Sequence, residues 1–115
     1  MLANSLVLKC TLWATMWVNN GSMKIIEDIK IESEESTITR QLKSQELTVQ
    51  RYADFVSISL TRPPTKDEKE TFASFKHDYP LENIVVARTS GTLTQNNKSD
   101  SVEVGSKEYF VSCKY

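Results

Sequence analysis

Apolar and polar residues alternate along most of this chain with a period of two. From Leu6 the even positions read Leu6, Leu8, Cys10, Leu12, Ala14, Met16 and Val18, while the odd ones hold Val7, Lys9, Thr11, Trp13, Thr15 and Trp17. This spacing predicts a strand over 5–18 with one buried face. Asn19-Asn20-Gly21 supplies turn residues that tolerate positive φ. A second strand is expected over 23–33, with Ile25, Ile29 and Ile31 on one side and Glu27 interrupting it. Glu34-Glu35-Ser36 breaks the pattern. A third strand then covers 37–42, with Ile38 and Leu42 on one face and Arg40 between them, and Lys43-Ser44-Gln45 reads as a turn.

The stretch 47–62 is rich in β-formers, yet its phase changes midway. Leu47 and Val49 are odd; Val56, Ile58 and Leu60 are even. A period of two cannot absorb that switch, so the strand must bulge or break near Arg51–Asp54. Pro63-Pro64 ends it. Thr65-Lys66-Asp67-Glu68 is a capping box, in which the Thr65 hydroxyl accepts from the Glu68 amide and the Glu68 carboxylate reaches back. Asp67, Glu68 and Glu70 lie in the first turn, where the helix dipole favours them. Phe72, Phe75 and Tyr79 are spaced to pack one face, and Pro80 forbids continuation. A helix over 65–78 follows. Strands over 82–94 and 102–115 close the chain, separated by the polar loop 95–101, with a bend at Gly105.

The order predicts a β-rich α+β domain: an antiparallel five- to six-stranded sheet, or a small OB-like barrel, with one short helix between strands. At 115 residues the chain suits a single domain, 1–115, in which 1–22 could be an added N-terminal strand or an appended element. Fourteen Lys and Arg against fifteen Asp and Glu give a net charge of −1, which excludes a uniformly basic coat and an acidic disordered tail.

The apolar stretch Leu6–Val18, interrupted by Lys9, falls short of the ~20 residues that a membrane span needs. It has neither a preceding positive side chain nor a following small-residue cleavage site, so a soluble, cytoplasmic protein is expected rather than a secreted one. Cys10 and Cys113 read as buried free thiols, the alternative being a disulfide if the terminal strands pair. Asn20-Gly21-Ser22 and Asn97-Lys98-Ser99 match the glycosylation sequon, a triplet common by chance.

Residues suited to catalysis are scarce. His77, the sole histidine, sits at the helix end, where a cation is favoured for structural reasons alone. The cysteines lack CxxC spacing, and no Gly-rich phosphate loop occurs. Glu32, Glu34 and Glu35 form a solvated corner without calcium-loop spacing. No enzyme activity, metal or cofactor is expected. The positive feature is a run of Arg40, Lys43, Arg51 and Arg62 against only Glu46 and Asp54, with Tyr52 and Phe55 among them; Lys24, Lys30, Arg88 and Lys98 could join it from other strands. Cations beside exposed rings suit single-stranded nucleic acid, since they neutralise phosphates while the rings stack on bases. In an OB-like arrangement residues 37–62 would form the platform and loop 95–101 its lip. The alternative is a protein-binding module, an inhibitor or accessory subunit, docking through Trp13 and Trp17. If only the even face of the first strand packs, both rings are exposed on an edge strand that could add to a partner's sheet or to a second copy, forming a homodimer.

Overall fold

The computed structural model describes residues 7–16, 22–75, 81–94 and 96–115. They form eight strands and one helix: β1 (Leu8–Met16), β2 (Ser22–Ile31), β3 (Glu35–Gln41), β4 (Glu46–Tyr52), β5 (Phe55–Arg62), α1 (Lys66–Phe75), β6 (Ile84–Thr92), β7 (Val102–Gly105) and β8 (Tyr109–Lys114). Two antiparallel four-stranded sheets result, ordered β2-β1-β8-β7 and β3-β4-β5-β6. The fold is thus β-rich with one short helix, as the pattern implies, but its strands divide between two sheets instead of filling one of five or six. Apart from the pairing of β1 with β8, strands are hydrogen-bonded only to their neighbours in sequence. The crossings from β2 to β3 and from β6 to β7 carry the chain from one sheet to the other.

The extra strands come from two positions where the sequence signals a break. The phase switch within 47–62 is a tight turn at Ala53–Asp54 that folds β4 back on β5, with Tyr52 opposite Phe55. Ala53 has φ of 52°, which a Cβ makes unfavourable, and its amide donates to the Glu34 carbonyl at 2.7 Å. Gly105 ends β7 opposite Phe110, and residues 106–108 return the chain into β8.

Each sheet turns one face inward. Leu8, Cys10 and Leu12 of β1, Ile29 and Ile31 of β2, Val111 and Cys113 of β8, and Leu47, Val49, Val56, Ile58 and Leu60 of β4 and β5 are all buried in one cluster. Cys10 lies directly opposite Cys113 with Cα atoms 4.0 Å apart, and the two are bonded. The expectation of free thiols is therefore corrected: pairing of β1 with β8 brings the two sulfurs together inside the core. The same pairing places β1 between β2 and β8, so it is not an edge strand; β2 is.

Polar contacts close both ends of the sandwich. At one end the Lys43 amide donates to the Tyr109 hydroxyl at 3.2 Å, and the buried Gln45 side chain donates to the Glu108 carboxylate and accepts from the Ser106 hydroxyl. At the other end the Tyr115 hydroxyl donates to the Asp54 carboxylate at 2.9 Å, and the Leu93 amide donates to the Asp54 carbonyl at 2.8 Å.

The helix forms by the signal the sequence carries. The Glu68 amide donates to Thr65 Oγ1 at 3.2 Å and the Thr65 amide to Glu68 Oε1 at 2.9 Å, completing the capping box. No residue of α1 is fully buried, however: Phe72 is half-buried, and Phe75 is 79% exposed, so the expected packing of Phe75 is not formed. Trp17, the turn at 19–21, His77, Tyr79 and Pro80 lie outside the described residues.

Candidate binding faces

Strand parity decides what each outer face offers. On β4 the inward set is Leu47, Val49 and Arg51, and the outward set includes Thr48, Gln50 and Tyr52. Arg51 and Tyr52 therefore point to opposite sides. Arg51 is 2% exposed; its Nη1 donates to the Ile31 carbonyl at 2.7 Å, its Nε to the Ala53 carbonyl at 3.3 Å, and its Nη2 has no hydrogen-bond partner among the described residues. The expected role of Arg51 on a solvent-facing surface is thereby corrected. Arg40 donates through Nε to both oxygens of Glu27 at 3.1 Å, joining β3 to β2. Arg62 holds Glu68 two-pronged at 2.7 and 2.8 Å, and this contact keeps the Glu68 carboxyl at about 2, well below its ordinary value. Two further guanidinium groups of the expected surface are thus neutralised within the molecule.

The remainder is dispersed. Tyr52 and Phe55 are exposed, at 67% and 47%, and face each other across the β4–β5 turn. They border an open groove of about 520 Å³ with Glu35, Thr37 and Gln50. Arg88 is exposed on β6 opposite Ser59, two rows from Phe55 along the same outer face; Lys98 is exposed in the loop after β6; Lys43 is exposed at the opposite end, in the β3–β4 turn. The outer face of this sheet is dominated by hydroxyl and amide groups, with Thr37, Thr39, Thr48, Gln50, Ser57 and Ser59 in paired positions.

The other outer face is different. Trp13 is half-buried and packs against Phe110 of β8, with ring centroids 5.4 Å apart and planes inclined by 45°. The expectation of a freely exposed Trp13 is corrected accordingly: β8 covers one side of the ring. On the other side the register shifts between Leu12 and Trp13, so Trp13 meets Ile25 instead of Ile26. Beyond that shift β2 leaves the core. Ser22–Ile26 are exposed throughout, including Met23 at 51%, Ile25 at 54% and Ile26 at 48%. Toward the other end of the same face, Lys9 lies directly opposite Lys30 on β2 and Lys114 on β8. All three are exposed, and none takes part in an ion pair among the described residues. A groove of about 320 Å³ runs here, lined by these lysines with Thr11, Trp13 and Asp28.

Sequence reasoning placed Lys30 among possible contributors and overlooked Lys9 and Lys114. Their outward parity is readable in the alternation of β1 and β8, but the row depends on register, which no local pattern specifies. Among the described residues no group of three or more His, Cys, Asp or Glu side chains is placed to hold a metal ion, and no helix is long and apolar enough to cross a membrane. Comparison with protein-family models, with curated proteins and with solved structures finds no match.

Proposed function

We propose that the chain is a non-catalytic binding module that docks a protein partner through the outer part of its β1–β2 hairpin. One observation carries this reading: Met23, Ile25 and Ile26 are about half exposed on an edge strand whose outer backbone groups take no part in either sheet. Proteins normally blunt such edges with charge, proline or cover, because an apolar edge invites pairing. A partner strand added to β2 would satisfy its free amides and carbonyls and cover these side chains, with Trp13 and Phe110 as an aromatic flank. The Cys10–Cys113 bond supports an oxidising compartment in place of the expected cytoplasm.

The single-stranded nucleic-acid reading has less support, since Arg51 is enclosed and Arg40 and Arg62 are held by carboxylates. Two measurements separate the readings. Light scattering across a concentration series detects pairing with a second copy, and affinity capture from the native source detects a foreign partner; either association is expected to be lost in Ile25→Lys and kept in Lys43→Gln. Association unaffected by Ile25→Lys, or binding of a labelled oligonucleotide at low salt that Tyr52→Ala abolishes, overturns the docking reading.

A further inference from the structure

Lys30, Lys9 and Lys114 stand side by side on three neighbouring strands. Like charges directly opposite each other destabilise a sheet, so folding does not favour this row. Protection of an edge accounts for Lys30 on β2 but not for the others, because β1 and β8 are interior strands. We propose that this row and its groove bind a sulfated glycan, a ligand beyond the protein docking described above.

The geometry suits a chain of sulfate esters laid across the strands. Strands lie about 4.8 Å apart, so the three ammonium groups span roughly 10 Å and meet successive anionic groups. The carboxylates on this face stand one row away, about 6.5 Å along the strands. Asp28 is one; it accepts from the Thr11 hydroxyl at 3.2 Å. Glu103 on β7, opposite Ser112, is another, and the exposed Glu32 follows Lys30 by two positions. A ligand aligned with the lysine row avoids them, whereas a wider anion meets repulsion. Trp13 lines the groove two rows from the lysines, beyond the row of Thr11 and Asp28. The disulfide argues for the compartment in which sulfated glycans, and not nucleic acids, are the prevailing polyanions.

The test uses the whole oxidised chain and a fluorescently labelled heparin-derived hexasaccharide, with anisotropy read over a salt series. Affinity is expected to fall at least about tenfold in the Lys9→Gln/Lys114→Gln double variant, and the slope of log affinity against log salt to flatten by about two. Lys43→Gln, at the end of the sandwich where the Lys43 amide meets Tyr109, is expected to bind as the parent does. Desulfated hexasaccharide and a thymidine oligonucleotide of equal charge are expected to bind at least about tenfold more weakly. Unchanged affinity in the Lys9/Lys114 variant, equal binding of the desulfated sugar, or equal or tighter binding of the oligonucleotide overturns the proposal. Because Ile25→Lys leaves the lysine row intact, glycan binding by that variant separates this site from the protein-docking edge.

Discussion

The guanidinium of Arg51 lies over the ring of Tyr115, 5.4 Å from its centroid, and forms no ion pair among the described residues. Its positive charge is held instead by two backbone carbonyls and a π face. Desolvating a charge without a counterion is unfavourable, so the side chain must contribute through packing and through the link from β4 to the end of β2. Arg51→Ala is expected to lower stability by about 3 kcal/mol, and Arg51→Met, which keeps the volume, by no more than about 1.5 kcal/mol. Urea unfolding of the two variants checks this. Equal losses would mean that the charge, not the packing, is what the fold uses.

The bond between Cys10 and Cys113 spans 103 positions. Closing a loop of that order restricts the unfolded chain, and in the entropic account this is worth about 4–5 kcal/mol. Reduction, or the Cys10→Ala/Cys113→Ala pair, is expected to lower the unfolding free energy by an amount approaching that figure. Thermal unfolding with and without a reductant measures it; an unchanged midpoint would show the bond to be dispensable.

Removing one member of the lysine row relieves repulsion in the folded protein. Lys9→Gln is expected to raise stability by about 0.2–1 kcal/mol at low salt, with the gain shrinking as salt is added. Urea unfolding at two ionic strengths reads both effects. A loss of stability would point to a structural role for the ammonium group.

The Glu68 carboxyl titrates at about 2, chiefly because Arg62 donates to its charged form, with the Thr65 amide adding to the effect. A folded value below the unfolded one stabilises the protein at pH values above the unfolded value, and the contribution is lost as pH falls toward 2. Helical circular dichroism at 222 nm is therefore expected to decline over the acid range in the parent, and to be lower and flatter in Glu68→Gln. Tyr115 works in the opposite direction. Burial, and then its bond to Asp54, raise its value above 10.0, so its contribution is present at neutral pH and is lost as alkali ionises the ring. Tyr115→Phe is expected to reduce the loss of stability above pH 10, followed by urea unfolding.

Ala53 occupies the left-handed region, with φ of 52°. Glycine adopts that conformation without a Cβ clash, so Ala53→Gly is expected to gain about 0.5–1 kcal/mol. A loss in urea unfolding would mean that the methyl group makes a packing contact of greater value than the strain.

Much of the fold was legible because short-range patterns encode it. The parity of Leu8, Cys10 and Leu12 predicted their burial, and Thr65 with Glu68 predicted the helix start. The same parity, carried from Leu47 and Val49 to the next odd position, already pointed Arg51 inward; its charge obscured that signal. What the sequence could not convey was pairing between distant strands. The juxtaposition of Cys10 with Cys113, the three-lysine row, and the division into two sheets all depend on β1 meeting β8 and on the register between them. No local periodicity carries that information. The shift that turns Ile25 toward Trp13 depends on a bulge whose position the alternation did not mark.

The meeting of β1 with β8 also sets an order of events during synthesis. Strands β3 to β6 can zip as successive hairpins while the ribosome is still at work, since each needs only its neighbour. The first strand has no such liberty. One of its two hydrogen-bonded neighbours follows it at a distance, Cys113 lying 103 positions beyond Cys10, so Cys10 stays without its mate, and one side of a largely apolar strand stays open, until β8 has been translated. The interval between those moments is the period in which this protein most needs protection from aggregation.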